Sequence, residues 1–593
     1  MLGAMNPRAA ALALCALGAC ADPLRSRDAG PGDVADAGDV ADVNDVDACA
    51  DRCPVCAPSE LSCADDGRAV LRCADDGGGR VEAARCDVAR GELCAEGRCV
   101  APCAWAAETA RSEGCSFVAA TTLNASLGRQ EEGQSPEQFP FAVVLANPWP
   151  VAAEVTVEGG GLTAARAETV PASGARTVTL PWVPALSEGG DPAAPASALA
   201  RRGAYLVRSS LPVAAYQFNP LGFASTEGCD EARCRSFTND ASLLLPVAAL
   251  GRRYTVVSRP TVRVLQQGQT RWQRAAGFVT VVATEDGTEV SVRLRALTLP
   301  GGDVPAGAPG ETVTRTLGRG DALQLVSGGA AACARPEPDT VHGDTFCQPV
   351  PTEDLTGSVV TASAPVAVFA GHDCALVPYN RFACDHLEEQ LVADEGLGRR
   401  YVAPRTPHMA DEPDVLRVVA TRPNTSVTFE PAAVHAPVTL DAAGDFVEFE
   451  HRRSVAVTAS APVAVAQFLV GAGYDAATLL NVRGDPDMAM LPPVEQARGR
   501  YRFVAAPGFP DSVAIATVPA GERLRLDGAD VTAAPVETAA GFDVHHLRVA
   551  PGAHTLEAVR RGIRFGLLVS GLAPSTSYTY PGGLDLAPIA PPQ

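Results

Sequence analysis

The sequence predicts an all-β chain, with about four tandem β-sandwich-like units behind a small disulfide-rich module. Three observations predict it. From residue 116 to about residue 584, short valine-rich runs are separated by Gly, Pro, Asn and Asp, and long amphipathic helical stretches are nearly absent. The same sequence elements recur across that stretch in one order. Ten cysteines crowd residues 49–115, just ahead of it.

In chain order, the amino terminus comes first. Arg8 precedes a nine-residue apolar run, AAALALCAL, which is too short to span a bilayer and the right length for a signal-peptide core. The run ends in Leu17-Gly18-Ala19-Cys20, a lipobox-like pattern. Residues 1–19 therefore read as a lipoprotein signal peptide, with Cys20 as the lipidation site. An exported, membrane-anchored protein at the cell envelope or cell surface is expected, touching the membrane through its lipid alone. Residues 20–48 read as an acidic Ala/Asp-rich linker, in which Asp33, Asp36, Asp39, Asp42 and Asp45 repel one another.

The module at 49–115 has many glycines and few large apolar residues, so disulfides must hold it together. Setting aside Cys15 and Cys20 leaves an even number of the 18 cysteines, as an oxidising compartment predicts. No pairing follows from sequence within the module. Three local pairs are expected further on: Cys229–Cys234, Cys333–Cys347 and Cys374–Cys384.

Four recurring elements define the units at about 116–220, 246–371, 391–471 and 491–581, with 585–593 as a tail. A strand–turn–strand element appears as FVTVVATEDGTEVSV and VLRVVATRPNTSVTF. A Gly-Asp hairpin appears as TLGRGDALQL and TLDAAGDFVEF. A Pro-Val strand appears as RSSLPVAAYQF, TASAPVAVFAG and TASAPVAVAQF. A fourth element, LGRRY, LGRRY and ARGRY, precedes a new unit. Six to eight strands per unit suit a sandwich; a propeller-like ring is the second arrangement.

A net charge of −21 argues against a nucleic-acid partner. All 48 basic residues are arginine, which removes lysine-based catalysis and phosphate loops. The sequence has no Gly-x-Ser-x-Gly elbow and no His-Glu-x-x-His helix, so no catalytic residue is assigned. One stretch concentrates chemistry, GHDCALVPYNRFACDHLEEQ at 371–390. If Cys374 opposes Cys384 in a hairpin, His372 faces His386 and Asp373 faces Asp385. Facing imidazoles with Asp373, Asp385, Glu388 or Glu389 would suit a divalent cation, the second reading. The first reading is a disulfide-closed structural corner that needs no cofactor. Asp485 and Asp487 in GDPDM read as turn residues.

The motifs GCSF, AYQFNP, NDASLLLP, FAGHDC, CDHLEEQL, VAQFLVG, GDPDMAMLPPVEQ and YTYPGG, in that order from Gly114, resemble the amino-terminal IgG Fc-binding domain of the IgG Fc-binding protein family. The resemblance covers about residues 114–584. It implies a binding domain with no catalytic residues to carry over, and the von Willebrand type D repeats of the family's mucus member are absent here. The expected function is a lipid-anchored adhesion protein that recognises a macromolecule, glycan or protein, through loops. An architectural envelope protein and an exported metal-dependent hydrolase are the alternatives.

Overall fold

The computed structural model describes residues 56–124, 139–187, 195–222, 238–339, 343–407, 411–474 and 483–589. The expected lipidation site Cys20, the acidic linker and the Cys229–Cys234 pair lie outside them.

The module is a three-stranded sheet of Leu61–Cys63, Ala69–Cys73 and Arg80–Arg85, followed by the hairpin Leu93–Ala95 and Arg98–Val100. Its apolar centre is Val70 among cysteines. Bonds Cys56–Cys73, Cys63–Cys94 and Cys86–Cys99 supply the cohesion that so little buried surface cannot. Cys103–Cys115 then ties the short helix Pro102–Glu108 to the first strand of the repeat region, Gly114–Ala119.

Four two-layer units follow. Each has an inner sheet of one strand order. In the second unit it reads Ala322–Val326, Gly277–Ala283, Val366–Leu376, Cys384–Gln390, and in the third Phe446–His451, Asp414–Ala420, Val463–Leu469, Met488–Met490. The first unit matches it with Ala175–Leu180, Phe141–Ala146, Tyr205–Phe218, Ala241–Leu244. The fourth does so with Phe542–Val549, Asp511–Pro519, Gly566–Ala573, Thr576–Pro581.

Inner strands such as Gly277–Ala283 and Asp414–Ala420 are buried at every position, because they pack on both faces. Outer strands such as Thr425–Glu430 alternate buried and exposed, because one face meets water. The recurring Pro-Val element is where the chain changes layer. In the first unit one long strand, Tyr205–Phe218, serves both sheets, and its register shifts between Arg208 and Val213, around Pro212. In the next units Pro365 and Pro462 separate an outer strand from an inner one. Proline lacks the N–H a continuous ladder requires, so a break belongs there.

The Arg-Tyr element is a lock. The hydroxyls of Tyr254 and Tyr401, both buried, accept from the Gly251 and Gly398 amides at 2.9 and 3.0 Å. They donate to the Val366 and Val463 carbonyls at 2.7 and 2.6 Å. Tyr501 does the same with the Arg498 amide and the Phe565 carbonyl. Each lock fixes the start of a unit to its layer-changing strand.

The units, consecutive in sequence, close into a ring in space. The fourth inner strands (Ala241–Leu244, Cys384–Gln390, Met488–Met490 and Thr576–Pro581) meet around one axis, each touching its two neighbours. Between first and fourth units, Tyr216 packs on Tyr580 at 4.7 Å and Phe218 meets Tyr578 edge-on at 5.5 Å. One apolar cluster contains residues of both units. The two ends of the repeat region clasp there. The Ser112 amide donates to the Leu584 carbonyl and the Leu584 amide to Ser112 Oγ, both at 3.1 Å. Arg498 pairs with Glu113 at 2.9 Å. A ring suits repeats that are apolar on both inner faces, since it leaves no terminal face exposed.

One insertion breaks the repetition. Val262–Leu265, Gln273–Ala275, Pro336–Pro338 and Thr345–Cys347 form an extra four-stranded sheet on the second unit. Cys333–Cys347 closes it.

Candidate binding face

The stretch singled out by sequence runs from the ring axis to one end of the ring. Cys374 and Cys384 are bonded, with Cα atoms 5.1 Å apart. The register expected from that bond is corrected. His372 lies opposite Leu387, not His386, and Asp385 lies opposite Ala375, not Asp373. The shift falls between His372 and Ala375, where a bulge takes up Asp373 and Cys374. Gly371 marks a close approach, since a Cβ there would sit 1.8 Å from the Leu387 carbonyl oxygen.

Both histidines are fully buried and held neutral, pushed down to about 3 by burial. His372 Nδ1 accepts from the Cys374 amide at 3.1 Å, and its Nε2 faces the Pro260 carbonyl at 3.1 Å. His386 Nε2 meets the Asn219 amide nitrogen at 3.1 Å and stacks on Phe278. Asp373 accepts from the Ala276 amide at 2.7 Å and is pushed up to about 7 by burial. Among the described residues, no group of three or more His, Cys, Asp or Glu is placed to hold a metal ion. The convergence expected of His372, His386, Asp373 and Asp385 is therefore corrected too.

What the axis gathers is a set of buried acids: Asp240, Asp385, Glu388, Glu389, Asp485 and Asp487. Asp485 and Asp487, expected in a turn, belong to this set. Among the described residues none forms an ion pair; their partners are neutral. Glu388 accepts from Gln217 Nε2 at 2.7 Å and Ser242 Oγ at 2.8 Å. Asp487 accepts from Thr579 Oγ1 at 2.8 Å, and Asp385 from Thr576 Oγ1 at 3.1 Å. Glu389 accepts from the Met490 amide at 3.2 Å. Burial pushes Glu388 and Asp487 up to about 7 and Asp485 up to about 8. Asp240, Asp385 and Glu389 go well above the carboxylate range, through burial and then the charge of neighbouring acids, led by Asp487, Asp485 and Asp240 respectively. Protonated, such groups are interior hydrogen-bonding groups that join units, with no access for a substrate.

The exposed chemistry lies beyond the disulfide. The turn Pro378–Ala383 carries Tyr379, Asn380 and Arg381, and the inserted sheet supports it. Asn380 Nδ2 donates to Glu337 at 2.9 Å and Tyr379 Oη donates to the same carboxylate at 2.5 Å. Phe382 packs with Val262, Phe346 and Leu376. The third unit adds Tyr474, whose ring lies 5.5 Å from the exposed Arg381 guanidinium and whose hydroxyl donates to Glu450 at 2.7 Å. Sequence reasoning missed Tyr379, Arg381 and Tyr474. An aromatic and an arginine in a proline turn between bonded cysteines was the available signal; the contribution of Tyr474 had none.

The family model described as IgGFc binding protein matches residues 240–571, from the first axial strand to the fourth unit's inner sheet. The chain belongs to this family. The human IgGFc-binding protein is 31% identical over 364 residues, which is 60% of this chain and 6% of that protein. The chain thus spans a small fraction of the relative it matches. A solved tetra-tandem repeat in the extending region of a large adhesion protein covers 80% of this chain and 99% of its own at 10% identity. Its TM-score is 0.08. Among the described residues, no helix is long and apolar enough to cross a membrane.

Proposed function

We propose that this family member is an extracellular binding protein that grips a protein ligand with the end of the ring bearing Tyr379, Arg381 and Tyr474. One observation carries the reading: a tyrosine–arginine cluster stands on a turn braced by a disulfide and an inserted sheet. Tyrosine and arginine dominate binding hot spots because they combine apolar area with directed polar groups. Bracing lowers the entropy lost when a loop is fixed by a ligand. The relative's name supplies a first probe, the Fc region of IgG. The lipid tether at Cys20 belongs to the same proposal and would hold the ring at the cell surface. Replacing Cys20 by Ser should release the protein from membranes.

The test uses the full chain against immobilised IgG Fc and a panel of other extracellular proteins. Arg381→Glu and Tyr474→Ala should each weaken binding by tenfold or more while leaving the unfolding temperature unchanged. Unchanged affinity in both variants overturns the assignment of the face, and absence of binding to every panel member overturns the choice of a protein ligand.

A further inference from the structure

A concavity of about 520 Å³ lies where the cysteine-rich module meets the first and fourth units. It shares no lining residue with the end face. Trp105 and Trp149 line it with Arg111, Arg498, Arg500 and Arg502. The two tryptophans meet edge-on at 6.3 Å, and the Arg111 guanidinium lies 4.3 Å from the Trp105 ring. Its lining holds four arginines against three carboxylates, Asp65, Glu96 and Glu113.

Their partners separate them into two kinds. Arg111 is held by Glu96, and Arg498 by Glu113 and Ser112, so these two belong to the structure. Arg500 has a side chain 70% exposed, and Glu557 is 3.6 Å away. Arg502 donates to the Ser173 carbonyl and reaches Thr555 Oγ1 at 3.4 Å, but it forms no ion pair among the described residues. Its Nε is buried without an acceptor, as is Trp105 Nε1. Both atoms are sealed from solvent, so what the groove offers a ligand is the outer guanidinium nitrogens of Arg500 and Arg502. Asp65 on the module side is a lining carboxylate that disfavours acid at that rim.

We propose that this groove binds an extended acidic peptide segment with carboxylates on alternate residues, one for Arg500 and one for Arg502. Both arginines project from one face of the strand Arg500–Ala505, two residues apart. Alternate side chains of a strand lie about 6.8 Å apart, the same repeat an extended peptide offers. A carboxylate also matches the planar fork of a guanidinium. The volume suits a few residues and is far too small for a folded domain. Trp105, Trp149 and the nearby prolines Pro148, Pro150 and Pro212 would cover the intervening apolar side chains.

The experiment titrates the full chain with the blocked peptide Ala-Asp-Ala-Asp-Ala and follows intrinsic tryptophan fluorescence and calorimetric heat. Comparison probes are the Asn-for-Asp peptide, a peptide with adjacent aspartates, and a short uronic-acid oligosaccharide. Binding of the alternating peptide should exceed that of the Asn peptide by tenfold or more and fall as salt rises. Arg500→Glu, an exposed change that leaves folding intact, should abolish it; Arg502→Gln should weaken it about tenfold; Arg381→Glu on the end face should leave it unchanged. Equal binding of Asp and Asn peptides, or full binding by Arg500→Glu, overturns the proposal. So does Arg500-dependent binding of the uronic-acid oligosaccharide with none of the peptide.

Discussion

Replacing Glu388 by glutamine should remove part of the ring's loss of stability as pH rises. Glu388 is fully buried, accepts from Gln217 and Ser242, and faces no cation. Burial lifts it from 4.5 to about 7. A folded-state value above the unfolded one means the folded protein holds the proton more tightly. The resulting stability is fully present below about pH 4.5 and lost as pH rises through about 7. At about 1.4 kcal/mol per tenfold in proton affinity, that single group accounts for about 3 kcal/mol. Glutamine mimics the protonated acid in size and cannot ionise. Denaturant midpoints at pH 5 and pH 8 provide the assay. The wild type should lose up to about 3 kcal/mol more than Glu388→Gln between the two pH values, leaving the variant the more stable at pH 8. A wild-type-to-variant difference that is independent of pH, or one that favours the wild type at pH 8, would refute the reasoning. Asp373 and Asp487, both lifted to about 7, and Asp485, lifted to about 8, act in the same direction.

Two further outcomes follow from buried pairs. Arg417 joins the second and third units, donating to Glu448 at 2.6 Å and Asp354 at 2.9 Å. Arg417→Ala should destabilise by about 3–5 kcal/mol because it strands the buried Asp354 carboxylate, while Glu448 keeps Arg259, and chemical denaturation would register it. Burial alone would raise Glu448, but Arg259 and Arg417 outweigh it and hold it below the usual range. Its contribution therefore has the opposite sign to that of Glu388, lost as pH falls. Tyr401→Phe deletes the hydroxyl shared by the Gly398 amide and Val463 carbonyl, and should cost about 1–3 kcal/mol in the same measurement.

Much of the fold was legible because its cause is local. Alternation, turn residues and recurring motifs name strands, and the repeated Arg-Tyr and Pro-Val elements turned out to be a lock and a layer change. Ring closure was not decided, because its contacts join residues such as Tyr216 and Tyr580 that no periodicity relates. The Cys374–Cys384 bond likewise brings two strands together without fixing their register; the bulge at Asp373 and Cys374 moved every facing pair. The acids were visible as acids, yet their burial depends on four units meeting. Asp485 therefore read as a turn residue although it is 1% exposed on the axis. On the end face, Arg381 was within the stretch that drew attention, but Tyr474 arrives from another unit.

The most direct test of a ring that binds through its braced end is cross-link mapping of the full chain with a bound extracellular protein. The account predicts links concentrated on residues 335–339, 378–384 and 471–474, all lost with Arg381→Glu. Links confined to the outer sheets, such as the strand Thr425–Glu430, with the end face untouched, would contradict it.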